Sequence, residues 1–343
     1  MTDTPKAKVL VVGAGPAGTV CAILLRRQGV DCLLIDHAAF PRDKVCAGGM
    51  TPRAWQLLEG LVPGFTYEYN AVRHITLSLE GKRTCEFDAA EELRIVERKQ
   101  FDHRLLQHYL AQGGRYMKAA LADIEEHGEG EDIVAVLKSG QRVRCQYLVG
   151  ADGSNSRVRQ HLTGRRDNGI LSVEQYAPRA EANAIDINLS RRYDFGGYFF
   201  RFPNPVHDVL GFVDYSTTPE KGRQVLEEQG CPKGRMRGQY IYQSLDYPLN
   251  DHILLIGDAG GFAHRITYEG IYSAFVTGRN AAHAIATGRP FREVNRSMMS
   301  RTRRDAWVAR AFYSRTFFHT LRLMSHCPRL MKACFDKEIR HKL

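Results

Sequence analysis

The sequence lacks the patterns that identify disulfide-stabilised, zinc-binding or membrane-spanning proteins. Its eight cysteines include no CxxC pair and no metal-ligand spacing. We therefore expect no disulfide framework and no metal site, and the pattern favours a reduced, cytoplasmic protein. No apolar run approaches the ~18 residues that a transmembrane helix needs. Residues 1–8 are polar, and we expect no signal peptide there.

Excess charge is also absent from most of the chain. The 343 residues carry a net charge of +10, but residues 291–343 contain 13 Lys and Arg against 4 acidic residues, a net of +9. The other 290 residues hold 35 basic and 34 acidic groups. A generally basic nucleic-acid-binding protein is disfavoured, and we expect no nucleic-acid partner. The ordinary hydrophobic content, 43%, indicates a globular protein with one large or two interlocked domains.

Residues 8–18, KVLVVGAGPAG, join a short apolar strand to the spacing GxGxxG. A helical segment (19–28) and a second apolar strand ending at Asp36 follow, so the pattern predicts a β-α-β unit. Gly13 permits the tight turn, Gly15 a close approach to a pyrophosphate, and Gly18 the packing of helix on strand. Asp36 can accept hydrogen bonds from ribose hydroxyls, which favours NAD or FAD over NADP. The predicted cradle comprises Gly13, Gly15, Pro16, Ala17, Gly18 and Asp36.

Two further strands end in an aspartate beside glycine. Residues 147–159 read YLVGADGSNSRVR and residues 253–261 read ILLIGDAGG, and an alanine-rich helix follows Gly270. Open α/β sheets bind ligands at the carboxyl ends of their strands, where Asp152 and Asp258 can accept from ribityl hydroxyls. The N-terminus of the later helix can stabilise negative charge on a flavin ring. Either aspartate alone is equally well explained as a helix N-cap. The residues predicted here are Asp152, Gly257, Asp258, Gly270 and Ile271.

In this order the three motifs resemble the FAD-dependent oxidoreductases of the p-hydroxybenzoate hydroxylase type, over roughly residues 8–290. Residues 41–54, PRDKVCAGGMTPRA, resemble a segment of geranylgeranyl reductases, and residues 198–203, YFFRFP, resemble the YxWxFP substrate motif of that group. Residues 97–102, ERKQFD, match a superfamily step in which the arginine lines the flavin site; on sequence alone, Arg98 equally fits a surface helix. The resemblance implies FAD as cofactor, with contacts from Arg42, Cys46, Ala47, Gly48 and Arg98.

The sequence departs from the family pattern near the expected reaction site. Phe200 replaces a tryptophan, Arg265 a proline and Tyr268 a glycine. Because the last two positions lie next to the isoalloxazine in relatives, we expect altered flavin potential or substrate access. The resemblance implies catalytic roles for Cys46, Tyr198 and Arg265. The expected substrate lining consists of Gly49, Tyr198, Phe200, Phe202, Arg265 and Tyr268.

The pattern of strands predicts an α/β fold in three parts. Strand-like stretches at 74–79, 85–87, 182–189, 198–202 and 209–215 indicate an antiparallel sheet that faces a cavity. We expect a discontinuous Rossmann-type FAD-binding domain (1–65, 96–165 and 246–290). The inserted antiparallel-sheet substrate domain comprises 66–95 and 166–245. A basic C-terminal helical segment (291–343) follows.

The predicted function is that of an FAD-dependent oxidoreductase. The favoured hypothesis is a reductase, in which NAD(P)H reduces FAD and flavin N5 delivers hydride to a carbon–carbon double bond of an apolar, isoprenoid-like substrate. Only one dinucleotide fingerprint is present, so NAD(P)H would bind transiently. Cys46 is the candidate proton donor or positioning residue, although a free cysteine is often an inert buried thiol.

Other functions remain open at this point. The main alternative is a monooxygenase that uses a C4a-hydroperoxide to hydroxylate a small, carrier-tethered or protein-tethered substrate. A halogenase is disfavoured because the WxWxIP motif is absent and the only tryptophans are Trp55 and Trp307. A non-catalytic flavin-binding partner protein is a minor alternative.

The basic segment also has a helical pattern. At 100° per residue, Arg304, Arg315 and Arg322 share one face of a single predicted helix. Three interpretations stand beside one another: a solvated basic face, contact with anionic lipid at the membrane periphery, or docking of an acidic carrier protein or a diphosphate.

Overall fold

The protein is described by a computed structural model that covers residues 5–126, 128, 132–167, 169–194, 196–248 and 250–340, apart from the side chain of Arg315. Two sheets and ten α-helices account for most of these residues. Among the described residues, no helix is both long enough and apolar enough to cross a membrane.

The first sheet is mainly parallel and forms the centre of the cofactor domain. Its strand order is β6-β2-β1-β9-β8-β7, and β15 pairs with β9. The β1, β2, β6, β9 and β15 pairings are parallel, whereas β7 and β8 form an antiparallel extension. Strands buried on both faces read as continuous apolar runs, which explains the VLVV and CLLI segments. The strands are β1 (Lys6–Val12), β2 (Cys32–Asp36), β6 (Arg115–Lys118), β7 (Leu121–Glu125), β8 (Ile133–Leu137), β9 (Arg142–Gly150) and β15 (Ile253–Leu255).

The second sheet has the order β14-β10-β13-β12-β11-β4-β5-β3. Its pairings are antiparallel except that β4 and β11 run parallel. All of it comes from residues within 66–95 and 166–245 except β3, which pairs with the end of β5 and so joins the loop after β2 to this sheet. The strands are β3 (Gly49–Met50), β4 (Asn70–Leu79), β5 (Lys82–Ile95), β10 (Ile170–Ala177), β11 (Ala184–Leu189), β12 (Tyr198–Pro203), β13 (Asp208–Val213) and β14 (Arg237–Ile241).

The helices cover both sheets. Helices α1, α3 and α6 contribute to the apolar cluster on one side of the first sheet, and α4 packs on the other side. On the second sheet, α5 packs against one face, whereas the C-terminal helices pack against the face that carries Tyr198 and Phe202. The helices are α1 (Pro16–Arg27), α2 (Pro52–Leu61), α3 (Arg98–Ala111), α4 (Arg157–Thr163), α5 (Pro219–Glu228), α6 (Ile271–Thr287), α7 (Phe291–Val294), α8 (Arg296–Phe312), α9 (Arg315–Met324) and α10 (Pro328–Arg340).

The C-terminal segment corrects one prediction from the sequence. The 100° count placed Arg304, Arg315 and Arg322 on one face of a continuous helix, but α8 ends at Phe312 and α9 begins at Arg315. The side chain of Ser314 accepts a hydrogen bond from the Phe317 N–H at 3.1 Å and so caps a new helix. The prediction of one continuous helix is wrong, and the angular count does not extend across this break.

Candidate active site

The glycines at the turn after β1 have different roles: two are required by close backbone packing, and one leaves space for a ligand. A Cβ atom on Gly13 would lie 2.3 Å from the Ala151 carbonyl oxygen, and Gly13 has φ +109°. A Cβ on Gly18 would lie 1.9 Å from the carbonyl oxygen of Gly13. In contrast, the closest atom to a Cβ on Gly15 is Nη2 of Arg42, at 3.6 Å. Gly15 thus leaves the space beside the turn open for a ligand.

The polar groups around this turn suit a dinucleotide. The carboxylate of Asp36 accepts from the N–H groups of Ala14 and Ala38, both at 2.8 Å, and is thereby fixed at the end of β2. Helix α1 begins at Pro16, has no acidic residue in its first turn and receives no side-chain cap from Gly15. Its first N–H groups therefore point to a space where a pyrophosphate would be stabilised.

Arg98 is buried, which answers the question that the sequence left open about it. Only 8% of the residue is exposed, and its guanidinium donates two bonds of 2.8 Å to Asp102. Arg42 lies 3.2 Å from the same carboxylate. Burial by itself lowers the pKa of Arg98, but Asp102 and the adjacent Cys46 thiol raise it overall. The paired arginines therefore connect the Gly15 turn with the segment around Cys46.

Asp152 contacts the start of α4, although the N-cap residue of that helix is Ser156. One carboxylate oxygen accepts from the Arg157 N–H at 2.7 Å at the start of α4. The other oxygen, Oδ1, is buried without a hydrogen-bond partner among the described residues. Burial raises the pKa of Asp152. One oxygen thus supports the helix, and the second is available to a ligand hydroxyl.

Asp258 and the start of α6 lie next to each other. Asp258 lies in a 3-10 turn, Gly257–Gly260, and a Cβ on Gly270 would lie 2.9 Å from its Oδ1. Helix α6 begins at the buried Ile271 without a side-chain cap or an acidic residue in its first turn. Further along, α6 packs closely against the glycine turn after β1, since a Cβ on Gly278 would lie 2.6 Å from the Ala17 carbonyl oxygen.

The segment around Cys46 is a constrained loop between β2 and β3. Gly48 has φ +77°, and a Cβ there would lie 2.0 Å from the Val96 carbonyl oxygen. The Gly48 N–H donates to Cys46 Sγ at 3.4 Å, which turns the thiol inward. Cys46 and Ala47 are half-buried. The loop thus holds the thiol beside the buried Arg98.

Three charged residues near this loop were missed by the sequence reasoning. Glu174, 1% exposed on β10, accepts from the Cys46 N–H at 3.1 Å and lies 3.4 Å from Arg237 Nη2. Burial raises the pKa of Glu174 to about 7, although Arg237 opposes the shift. Burial also lowers the pKa of Lys44, and Asp258 opposes this. The signals were a lone acid in ILSVEQYA and a lysine inside the PRDKVC segment.

The aromatic residues of the substrate motif form one continuous row. Centroid distances are 5.7 Å from Phe202 to Phe200, 5.9 Å from Phe200 to Tyr198 and 6.0 Å from Tyr198 to Tyr268. Alternate residues of a strand share a face, which places the three β12 rings together. The row ends against the Cys46 loop, because a Cβ on Gly49 would lie 2.8 Å from the Phe202 ring. We call these four rings the aromatic row.

The loop of residues 264–270 closes the other end of the aromatic row. The Tyr198 hydroxyl donates to the Thr267 carbonyl at 2.8 Å, and the Tyr268 hydroxyl donates to the Gly196 carbonyl at 3.1 Å. Tyr268 adopts φ +55°, a conformation that suits the glycine found there in relatives. Arg265 is buried and donates to the Ser244 carbonyl, and burial lowers its pKa. Burial raises the pKa of Tyr268, and the positive charge of Arg265 opposes this shift.

An ionic network that is buried except at the half-exposed Glu338 anchors this loop, and the sequence did not predict it. Arg53, 2% exposed, lies 2.6 Å from Glu269 and 3.5 Å from Glu338 on α10. His264 Nε2 lies 3.4 Å from Glu338 and 3.5 Å from Asp305 on α8. Burial would raise the pKa of Glu338, but His264, Arg53 and other cations lower it to about 2. The C-terminal helices therefore hold the loop by ion pairs.

This combination of a parallel sheet, an open glycine turn and uncapped helix N-termini defines a dinucleotide-binding flavoprotein. Residues 6–197 match the family model described as FAD binding domain, and the chain belongs to this family. The open space at Gly15 and the unpartnered Asp152 oxygen fit FAD. The prediction of an FAD-dependent oxidoreductase of this superfamily is confirmed.

Known proteins of similar sequence include reductases. The chain is 28% identical to menaquinone reductase of Mycolicibacterium smegmatis, over 82% of this chain and 77% of that protein. It is 26% identical to digeranylgeranylglycerophospholipid reductase 1 of Methanopyrus kandleri, over 87% and 85%. The structure of the flavin-dependent brominase Bmp2 superposes with a TM-score of 0.73 at 21% identity, covering 96% of this chain and 94% of the brominase, and this likeness concerns the fold.

Proposed function

We propose that the protein reduces carbon–carbon double bonds of an apolar, isoprenoid-like substrate. The aromatic row carries this proposal: four neighbouring rings extend from the Cys46 loop to the 264–270 loop, and an apolar row of this length suits an extended hydrocarbon chain. Sequence relatives named for an isoprenoid quinone and a geranylgeranyl lipid support the same substrate class.

Bound FAD supplies a hydride donor, and the residues of this chain position it and its substrate. The Gly15 turn and the N-terminus of α1 suit the pyrophosphate, and the free Asp152 oxygen suits a ribityl hydroxyl. Rings of the aromatic row exclude water from the substrate chain. Lys44 lies two residues before Cys46, and the charge of Asp258 opposes the lowering of its pKa by burial.

Reduction of a double bond also needs one proton for the second carbon. We assign this proton to the Cys46 thiol, which the loop turns inward. Glu174 holds the backbone of Cys46 through its N–H, and its pKa of about 7 lets it keep a proton near neutral pH. NAD(P)H is the proposed electron donor and would bind transiently.

The test is the mass of the product formed with and without oxygen. Purified holoprotein is incubated with NADPH and detergent-solubilised geranylgeraniol, anaerobically and in air. A gain of two hydrogens under nitrogen supports a reductase, and a gain of one oxygen that requires air supports the monooxygenase alternative. Cys46→Ser should lose product formation, whereas Cys231→Ser, a half-buried thiol after α5, should keep it. No product in either atmosphere, with any donor, would favour the non-catalytic alternative.

A further inference from the structure

The acidic side chains of the basic C-terminal segment all have partners within the protein. Residues 291–343 contain four. Asp305 and Glu338 lie 3.5 Å and 3.4 Å from His264 in the buried network. Asp336 accepts from a backbone N–H of β5 at 2.9 Å. Glu293 is engaged in an (i, i+4) ion pair. All four acids are therefore engaged by groups of this chain, so they do not offset the charge of cations that have no partner.

Several cations of the same helices face outward, whereas Arg301 is buried and Lys332 and Arg340 pair with acids. Arg322, Arg329 and Lys337 are exposed and have no carboxylate partner within the described part of the chain. Arg310 lies over the ring of Trp307 at 5.4 Å. The outer surface of α8–α10 therefore carries unneutralised positive charge. We define the outer face as ten of the exposed basic and large apolar residues of these helices: Arg303, Arg304, Trp307, Val308, Arg310, Arg322, Leu323, Arg329, Leu330 and Lys337. Of these, Arg304 lies 3.7 Å from Asp305.

Large apolar side chains interrupt this charge. Leu323 and Trp307 are 75% and 72% exposed, more than the other large apolar residues described, and Val308 and Leu330 are 47% and 43% exposed. On α8, Arg303, Arg304, Trp307 and Val308 recur at helical spacing on one face. A solvated basic helix gains nothing from exposed tryptophan and leucine side chains, whereas grouped exposed apolar residues are typical of a surface that a partner covers.

We propose that the outer face docks peripherally on an anionic lipid surface. Tryptophan is favoured at the membrane interface, leucine inserts below it, and arginines extend from a lipid-covered helix towards anionic headgroups. A purely acidic protein partner would match the cations but not the separate apolar side chains.

The inner side of the same helices contacts the aromatic row, where we place the substrate. Phe312, Tyr313 and Phe317 pack in the apolar cluster that includes Tyr198 and Phe202. The Tyr313 hydroxyl donates to the Ile266 carbonyl at 2.7 Å. A chain that leaves the lipid past these helices thus meets apolar side chains continuous with the aromatic row. This route rests on the proposed function, whereas the docking itself does not.

The experiment is vesicle sedimentation of the full-length holoprotein. Vesicles contain equal phosphatidylglycerol and phosphatidylcholine, or phosphatidylcholine alone, at low and high salt. We expect binding to the anionic vesicles at low salt and its loss at high salt. Arg322→Gln should weaken the partition coefficient about fivefold, because one basic residue contributes about that factor. Its matched control is Arg223→Gln, exposed on α5, which packs on the opposite face of the second sheet.

The apolar part has its own variants. Leu323→Ser and Trp307→Ala should each weaken binding about fivefold or more, and Val206→Ser, 64% exposed on the turn between β12 and β13, should not. Flavin absorbance and thermal melting establish that each variant is folded. Equal binding to both vesicle types, equal effects of Arg322→Gln and Arg223→Gln, or binding to an acidic protein but not to vesicles would overturn the proposal. Product formation in detergent is measured separately, so failure of docking and failure of the reductase proposal are distinguishable.

Discussion

Glu174 provides the sharpest test of the electrostatics around the Cys46 loop. The residue is 1% exposed, and burial raises its pKa from an ordinary 4.5 to about 7. The folded protein therefore holds a proton that the unfolded chain releases between these two values. Below pH 4.5 the protein is therefore more stable than at high pH by the full contribution of this proton. That contribution is lost as the pH rises through 7. One pKa unit corresponds to about 1.4 kcal/mol, so the loss amounts to about 3 kcal/mol.

Glu174→Gln removes this titration and keeps an oxygen that can accept the Cys46 N–H. We expect the free energy of unfolding of the wild type, relative to the variant, to fall by about 3 kcal/mol between pH 4.5 and 8. Urea unfolding with excess FAD, followed by circular dichroism, measures this difference. The comparison with the variant cancels the titration of other groups.

A second substitution tests whether Arg237 opposes the effect of burial on the pKa of Glu174. Arg237 lies 3.4 Å from Glu174 and holds its pKa below the value that burial alone would give. Arg237→Gln should therefore move the loss of stability to higher pH, and only while Glu174 is present. Parallel pH curves for wild type and Glu174→Gln would refute the reasoning.

Three further predictions concern the cradle and the anchored loop. Gly15→Ala should leave the melting temperature of the apoprotein nearly unchanged, while FAD affinity falls at least tenfold. Gly13→Ala, at φ +109°, should instead destabilise the apoprotein. Melting curves measure the stability, and fluorescence titration measures the FAD affinity. Arg53→Met should lower the free energy of unfolding by about 3–5 kcal/mol at pH 8 and by less at pH 4, because Glu269 can take up a proton at pH 4 once its partner is gone. Urea unfolding measures both values, and equal losses at the two pH values would contradict the ion pair. Tyr268→Phe should cost about 1 kcal/mol through the hydrogen bond to the Gly196 carbonyl, and an unchanged stability would argue against that bond.

Much of the cofactor half was readable from the sequence because its signals are local. The tight turn at Gly13, the end of β2 at Asp36 and the helix after Gly270 each depend on residues close together in the chain. The strands at 74–79 and 198–202 were also predicted by alternation, and they lie within β4 and β12. Local glycine geometry and periodicity therefore sufficed for these elements.

The features that the sequence did not predict depend on distant pairs. Glu174 and the Cys46 N–H are 128 positions apart, and Arg53 and Glu338 are 285 apart. A buried carboxylate becomes interpretable only when its partner is known, and spacing contains no information at such separations. The break at Ser314 was missed for a different reason. The segments on both sides are helical, and an angular count of 100° per residue does not detect a serine that ends one helix and caps the next.

The network at His264 has a consequence for how the protein is made. His264 receives Asp305 and Glu338 from α8 and α10, which leave the ribosome after every strand of both sheets. The cofactor cradle can thus form on a nascent chain before the 264–270 loop is anchored. We expect released chains that end near residue 295 to retain flavin but to leave this loop more open to protease than the full-length chain does. Synthesis order therefore makes reaction-site closure the last step of assembly, so a half-made chain cannot present a finished site.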